Sequence, residues 1–164
     1  MPTRFEHRAT FSAPPAEVAA TLTDRAFLEE RQRELGGKGA ALLEHAVDGD
    51  EVRFRLRQGV DAERLPSMAR AIIKGDLMVE RAERWGPDGS TAQVTLSGVP
   101  GGINSRGTLT GRPDGGTELA LNAEVRVGLP LVGGKLERVI ADEVAKLLAK
   151  ESEFAGKWLA EHGS

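Results

Sequence analysis

The final stretch of the chain, LPLVGGKLERVIADEVAKLLAKESEFAGKWLAEHGS, limits the possible folds more than any other segment. At about 100° per residue, Leu136, Ile140, Val144, Leu147, Phe154 and Trp158 fall on one apolar stripe. Asp142 and Lys146, and Glu153 and Lys157, stand four residues apart with the acid first, on the other side. The spacing predicts a helix that starts near Pro130, a residue favoured in a first helical turn, and runs to about Glu161. Such a helix rises roughly 45 Å at about 1.5 Å per residue. A long helix with one apolar face needs a sheet to lie on. Inside the stripe sits one carboxylate, Glu151, flanked by Leu147, Leu148, Phe154 and Ala155.

The rest of the chain reads mainly as strands. Phe5, His7, Ala9 and Phe11 alternate with Arg4, Glu6, Arg8 and Thr10, the pattern of a half-buried strand. Pro14-Pro15 ends it, and Ser12 is placed to cap a short helix over 16–23. Asp24 is placed to cap a second helix, which Gly36-Gly37 ends. Segments 40–47 and 51–60 flank Asp48-Gly49-Asp50, a hairpin signal. In the second of them Val52, Phe54, Leu56 and Gln58 share one face, with Arg53, Arg55 and Arg57 on the other. Segment 61–76 breaks the rhythm and reads as a loop with one helical turn. Three further turns, at 86–89, 100–102 and 113–116, separate strand-like runs near 77–85, 90–98, 104–112 and 117–127. Short turns between successive strands imply an antiparallel meander.

Length and composition exclude several classes. A chain of 164 residues suits a single domain, 1–164, with a real core. Five Phe, two Trp and no Tyr offer few stacking platforms for single-stranded nucleic acid, and a net charge of −3 argues against a dedicated nucleic-acid binder. The absence of Cys removes disulfides, thiolate catalysis and Cys-ligated metal, and fits a reducing cytoplasm. No apolar run approaches the length of a membrane span, and the N-terminus lacks the apolar region of a signal peptide. A cytoplasmic protein without integral membrane association is the expectation. No His-Glu-x-x-His motif, Gly-x-Gly-x-x-Gly loop or Gly-x-Ser-x-Gly elbow is present, so neither a metal nor a cofactor is expected.

One helix covers about seven antiparallel strands only if the sheet curls around it. The order strand, two helices, six strands, long helix resembles the helix-grip fold of the START-like (SRPBCC) superfamily of polyketide cyclases, dehydrases and lipid-transport domains. Three segments carry the likeness. ATFSAPPAEVAATLTD resembles the opening strand and helix, DLMVERAERW a mid-sheet strand ending in Trp85, and the closing segment the C-terminal helix, through Pro-x-x-Gly-Gly-Lys-x-Glu and Trp158-Leu159. The likeness is greatest to a domain-of-unknown-function branch. It implies an α+β fold: a curved antiparallel sheet of about seven strands wrapped around a long C-terminal helix, with two short helices after the first strand. It also implies a cavity for a small hydrophobic or amphipathic ligand such as a lipid, polyketide or isoprenoid, held for transport or sensing.

The residues expected to line such a cavity are Phe54, Leu56, Ile72, Leu147, Glu151 and Phe154, with His7 and Gln58 as polar candidates. Each has a plainer reading. Glu151 is either a polar anchor whose pKa burial raises, or a carboxylate paired with an Arg from the sheet. His7 is either an acid/base group or a hydrogen-bonded core histidine. Gln58 either orients a ligand or marks where its strand leaves the core. The Arg53, Arg55 and Arg57 row reads as a solvent face rather than an anion site. Met68, Ile72 and Ile73 form either a lid or gap-filling packing. Gly133-Gly134 reads as close helix packing. Three functions stay open: ligand binding, a cyclase or dehydrase using His7 and Glu151, and an interaction protein with a filled core. The edge strands and the basic row permit a homodimer.

Overall fold

Alternation builds the sheet and helical periodicity covers it. The computed structural model describes residues 2–162. The elements run β1 (Thr3–Phe11), α1 (Pro15–Leu22), α2 (Arg25–Leu35), β2 (Ala41–Asp48), β3 (Glu51–Val60), α3 (Ser67–Ile72), β4 (Leu77–Gly86), β5 (Gly89–Leu96), β6 (Gly101–Gly111), β7 (Thr117–Val127) and α4 (Gly133–His162). All strand pairings are antiparallel, in one seven-stranded sheet of order β1-β7-β6-β5-β4-β3-β2. The sheet is curved around α4, so the helix-grip architecture expected from the sequence is the one observed. Because β1 and β2 are opposite edges, α1 and α2 carry the chain from one edge to the other, and both touch α4 on the way.

The local rules hold with instructive departures. Asp24 caps α2, its side chain accepting from the Phe27 N–H at 2.9 Å. Ser12 does not cap α1. The residue before that helix is Pro14, with no side-chain cap, and Pro15 takes the first helical position, where a missing N–H costs nothing. The closing helix begins at Gly133, three residues after the expected Pro130. Leu131 has a φ of 69°, in the left-handed region, which breaks helical geometry there. Gly133 then passes so close to β7 that a Cβ would lie 2.7 Å from the Val127 carbonyl oxygen. Segment 61–76 is more ordered than a loop: a 3-10 turn at Ala62–Arg64 precedes α3.

The core has two parts. One gathers Leu77, Leu96, Ile103, Val125 and Val127 under the start of α4, through Leu136, Ile140 and Ala141. The other packs Phe11, Val18, Phe27, Leu28, Phe54, Leu56 and Leu119 around Ala155 near the other end of α4, with Phe154 and Trp158 at its margin. Fully burying side chains of this size contributes about 1.5–3 kcal/mol each. Arg53, Arg55 and Arg57 point to solvent. The first two pair with Glu51, Glu44 and Glu80, and Arg57 donates to the Gly39 carbonyl. Exposed pairs of this kind contribute about 0–1 kcal/mol each.

Candidate functional site: a cavity bounded by a buried charge cluster

Between the two parts of the core, the apolar side of α4 is incompletely buried. Val144, Leu147 and Leu148 are only half buried although they belong to the apolar side of the helix. The reason lies in the sheet beneath. Strand registers align Glu83 on β4 with Ala92 on β5, Ser105 on β6 and Ala123 on β7. Three small side chains in one transverse row leave a hollow beneath the helix. The result is a cavity of about 300 Å³. Its walls are mainly apolar: Val79, Val94 and Ile103 from the sheet, Ile140, Val144 and Leu147 from α4. Leu65, Ala69 and Ile73 close it from the α3 segment.

One wall is charged. Arg81 and Glu83 are alternate residues on β4, so both face inward beside Trp85. Arg81 Nη1 lies 2.9 and 2.8 Å from the two carboxylate oxygens of Glu151 on α4. Arg81 Nε donates to Glu83 Oε2, and Trp85 Nε1 donates to Glu83 Oε1 at 2.9 Å. From α2, Arg31 places Nη1 3.5 Å from Glu151 Oε1. Gln58 on β3 donates to Glu151 Oε2 at 3.4 Å and to Gln32 Oε1 at 3.3 Å, and Gln32 donates to the Arg57 carbonyl at 2.8 Å. The end of α2 is held this close because Gly37 (φ 76°) lies against β3, where a Cβ would stand 2.1 Å from the Gly59 carbonyl oxygen.

The electrostatics follow from this arrangement. Burial alone would raise the Glu151 pKa, but the charges of Arg31 and Arg81, with hydrogen bonds from Arg81 and Gln58, hold it at about 2 against an ordinary 4.5. Burial likewise works against Arg81, and the two carboxylates overcome it, so its pKa is raised. For Arg31 burial wins: its pKa is lowered, with Glu151 opposing. A guanidinium nevertheless stays charged at neutral pH. Arg31 is 4% exposed, and its Nε and Nη2 have no hydrogen-bond partner among the described residues. Unsatisfied buried donors of this kind cost about 1–3 kcal/mol each.

Of the residues expected to line the site, Gln58, Leu147 and Glu151 meet at the cavity. Glu151 follows the second of its readings: it is paired with a sheet arginine at the cavity wall, and its pKa is lowered where the first reading expected burial to raise it. Phe54, Leu56 and Phe154 lie elsewhere, in or against the second part of the core, where α2 and the end of α4 cover that end of the sheet. Ile72 packs on the outside of the first part of the core, while Ala69 on α3 and Ile73, the residue just past its end, face the cavity. His7 faces α4, and its Nε2 is 2.9 Å from Ser152 Oγ. Burial lowers its pKa, with the Glu151 carboxylate acting against the shift. Sequence reasoning passed over Arg31, Gln32, Arg81 and Glu83. The signals were present: Arg31 and Gln32 sit four residues after Phe27 and Leu28, and Arg81 and Glu83 alternate with Val79 and Trp85.

Comparison with known proteins agrees with the fold. The START superfamily protein from Mycobacterium smegmatis superposes with a TM-score of 0.60 at 16% identity, covering 95% of this chain and 98% of that one. The Zhui aromatase/cyclase from Streptomyces sp. R1128 gives a TM-score of 0.64 at 16% identity, with both chains fully covered. At such identities the likeness establishes the START-like fold. Sequence relatives lie nearer: an uncharacterized protein of Mycobacterium tuberculosis and one of Mycobacterium bovis are each 30% identical over 170 residues, covering 97% of this chain and 98% of theirs. The family model described as protein of unknown function, DUF2505, matches residues 6–159. The chain therefore belongs to the DUF2505 family, and its fold is START-like.

Proposed function

We propose that this protein binds a small hydrophobic or amphipathic molecule, such as a lipid, polyketide or isoprenoid, between the sheet and α4. The observation that carries this reading is the cavity itself. It measures about 300 Å³, at the lower end of the range for ligand sites, and a mainly apolar wall surrounds a few convergent polar groups. A protein built only as an interaction surface has no use for half-buried leucines at the centre of its longest helix. The structural neighbours that include an aromatase/cyclase are consistent with the same use of the fold.

A cyclase or dehydrase would need an acid/base group poised near neutral pH. Glu151, held ionised with both oxygens on Arg81, has no proton to give there and is a weak base. His7 is bonded to Ser152, not to Glu151. The charge cluster therefore fits orientation of a ligand better than proton transfer.

The test is a fluorescence titration with the uncharged apolar probe N-phenylnaphthylamine, on the native chain and on an Ala92→Phe variant that fills the hollow. Saturable binding by the native chain, weakened at least about tenfold in the variant, is the expected result. Failure of the native chain to bind the probe saturably, or equal binding by a folded variant, would overturn the reading.

A further inference from the structure

Arg31 borders the cavity, and the protein leaves its hydrogen bonding incomplete. In a planar guanidinium, Nε–H and Nη2–H lie on the same edge and point the same way. Their spacing matches the two oxygens of a carboxylate. The edge that lacks partners in Arg31 is this one, while Nη1 turns to Glu151. Neighbouring acceptors are already engaged. Both oxygens of Glu151 are within 2.9 Å of Arg81, and those of Glu83 accept from Arg81 and Trp85. The Phe27 ring, 5.7 Å from Arg31 Cζ, stabilises the charge but offers the in-plane N–H groups no lone pair.

We propose that the ligand is an amphipathic monocarboxylic acid, its carboxylate received by the Nε–Nη2 edge of Arg31 and its apolar body lying in the cavity. This rests on the binding function proposed above and names the class of molecule that fills it. A hydroxyl or ketone would satisfy one N–H and leave the other unserved. A carboxylate adds one negative charge to the cluster of Arg31, Arg81, Glu83 and Glu151, whereas a phosphate would add about 1.5 to 2. The outer members of the lining are two acids, Glu34 and Glu143, and two lysines, Lys146 and Lys150, whose charges offset one another, so the discrimination lies with the buried edge. Both edge nitrogens are covered in this conformation. Uptake therefore turns the guanidinium toward the cavity, and the tie it relaxes is the 3.5 Å contact with Glu151.

Trp85 lines the cavity, and its fluorescence reports occupancy. Decanoate, methyl decanoate and decanol are titrated against the native chain and against Arg31→Met. Decanoate is expected to bind at least about tenfold more tightly than the alcohol or the ester, and in R31M the three affinities converge to within about twofold. Equal affinities in the native chain, or a preference for the acid that persists in R31M, would overturn the proposal while leaving the cavity as a binding site. Binding of none of the three would remove the binding function itself. If R31M does not fold, nitrogen-15 spectra of the arginine side chains decide the matter in the native chain. Decanoate must move a buried Nε–H resonance downfield and decanol must not, and identical spectra with both would sink the proposal.

Discussion

At the scale of the residue, Glu151 shows how one carboxylate can be both buried and fully ionised. Its burial is unfavourable, and two arginines reverse the sign of the outcome. Replacing it removes the counter-charge of both at once. Glu151→Leu should cost about 3–5 kcal/mol in chemical denaturation, because Arg81 keeps only Glu83 and Arg31 keeps no carboxylate within ion-pair distance among the described residues. The pH dependence has a defined direction. A carboxyl whose folded pKa lies below its unfolded value stabilises the fold above the unfolded value and ceases to do so as pH falls through the folded one. For Glu151 the loss begins below about 4.5 and is complete near about 2, on the order of 3 kcal/mol in all. Denaturation curves collected across that window should show the decline in the native chain, and Glu151→Gln should flatten it. The charge at position 151 was visible from its place in the apolar stripe. Its partners were not, because they lie 120 and 70 residues away in the chain on elements whose facing depends on the fold.

At the scale of the element, the cavity comes from a row of small side chains on the sheet face beneath α4. Ala92, Ser105 and Ala123 are unremarkable singly, and each fits an ordinary alternating strand. Only the register that aligns them makes a hollow. A larger apolar side chain in that row should therefore fill space rather than strain the sheet. Ala92→Leu is expected to leave the melting temperature unchanged or raised by a few degrees, about 0.5–2 kcal/mol in stability, measured by calorimetry. A drop of more than about 2 kcal/mol would mean that the site is already packed to native density. Strand boundaries and the long helix were legible from alternation and from the 3.6-residue period. The α3 segment was less so, because a six-residue helix is held by the contacts of Leu65, Ala69 and Ile73 with the core and has little intrinsic signal.

At the scale of the molecule, the structure divides into a firm sheet and a lighter cover. The antiparallel ladder β1-β7-β6 is continuous, and α4 packs on its β1 and β7 strands, whereas the α3 segment closes the cavity through a few apolar side chains. Opening free energy should follow that division. Native-state hydrogen exchange is expected to be slowest in β6 and β7 and at least about a hundredfold faster in residues 67–73, where an apolar probe bound in the cavity should slow it. Uniform protection across both regions would show that α3 opens only with the whole fold.

By itself the sequence determined the elements and the architecture. Periodicity is a local property, and one long apolar stripe beside many short strands has few ways to bury its face. Tertiary structure decided the rest: which small residues align into a hollow, that Glu151 meets two arginines and a glutamine, and that one edge of Arg31 is left without a partner among the described residues. Those facts depend on strand register and on where the end of α2 meets β3. Neither is written in any one segment, because each is set by how the segments fit together.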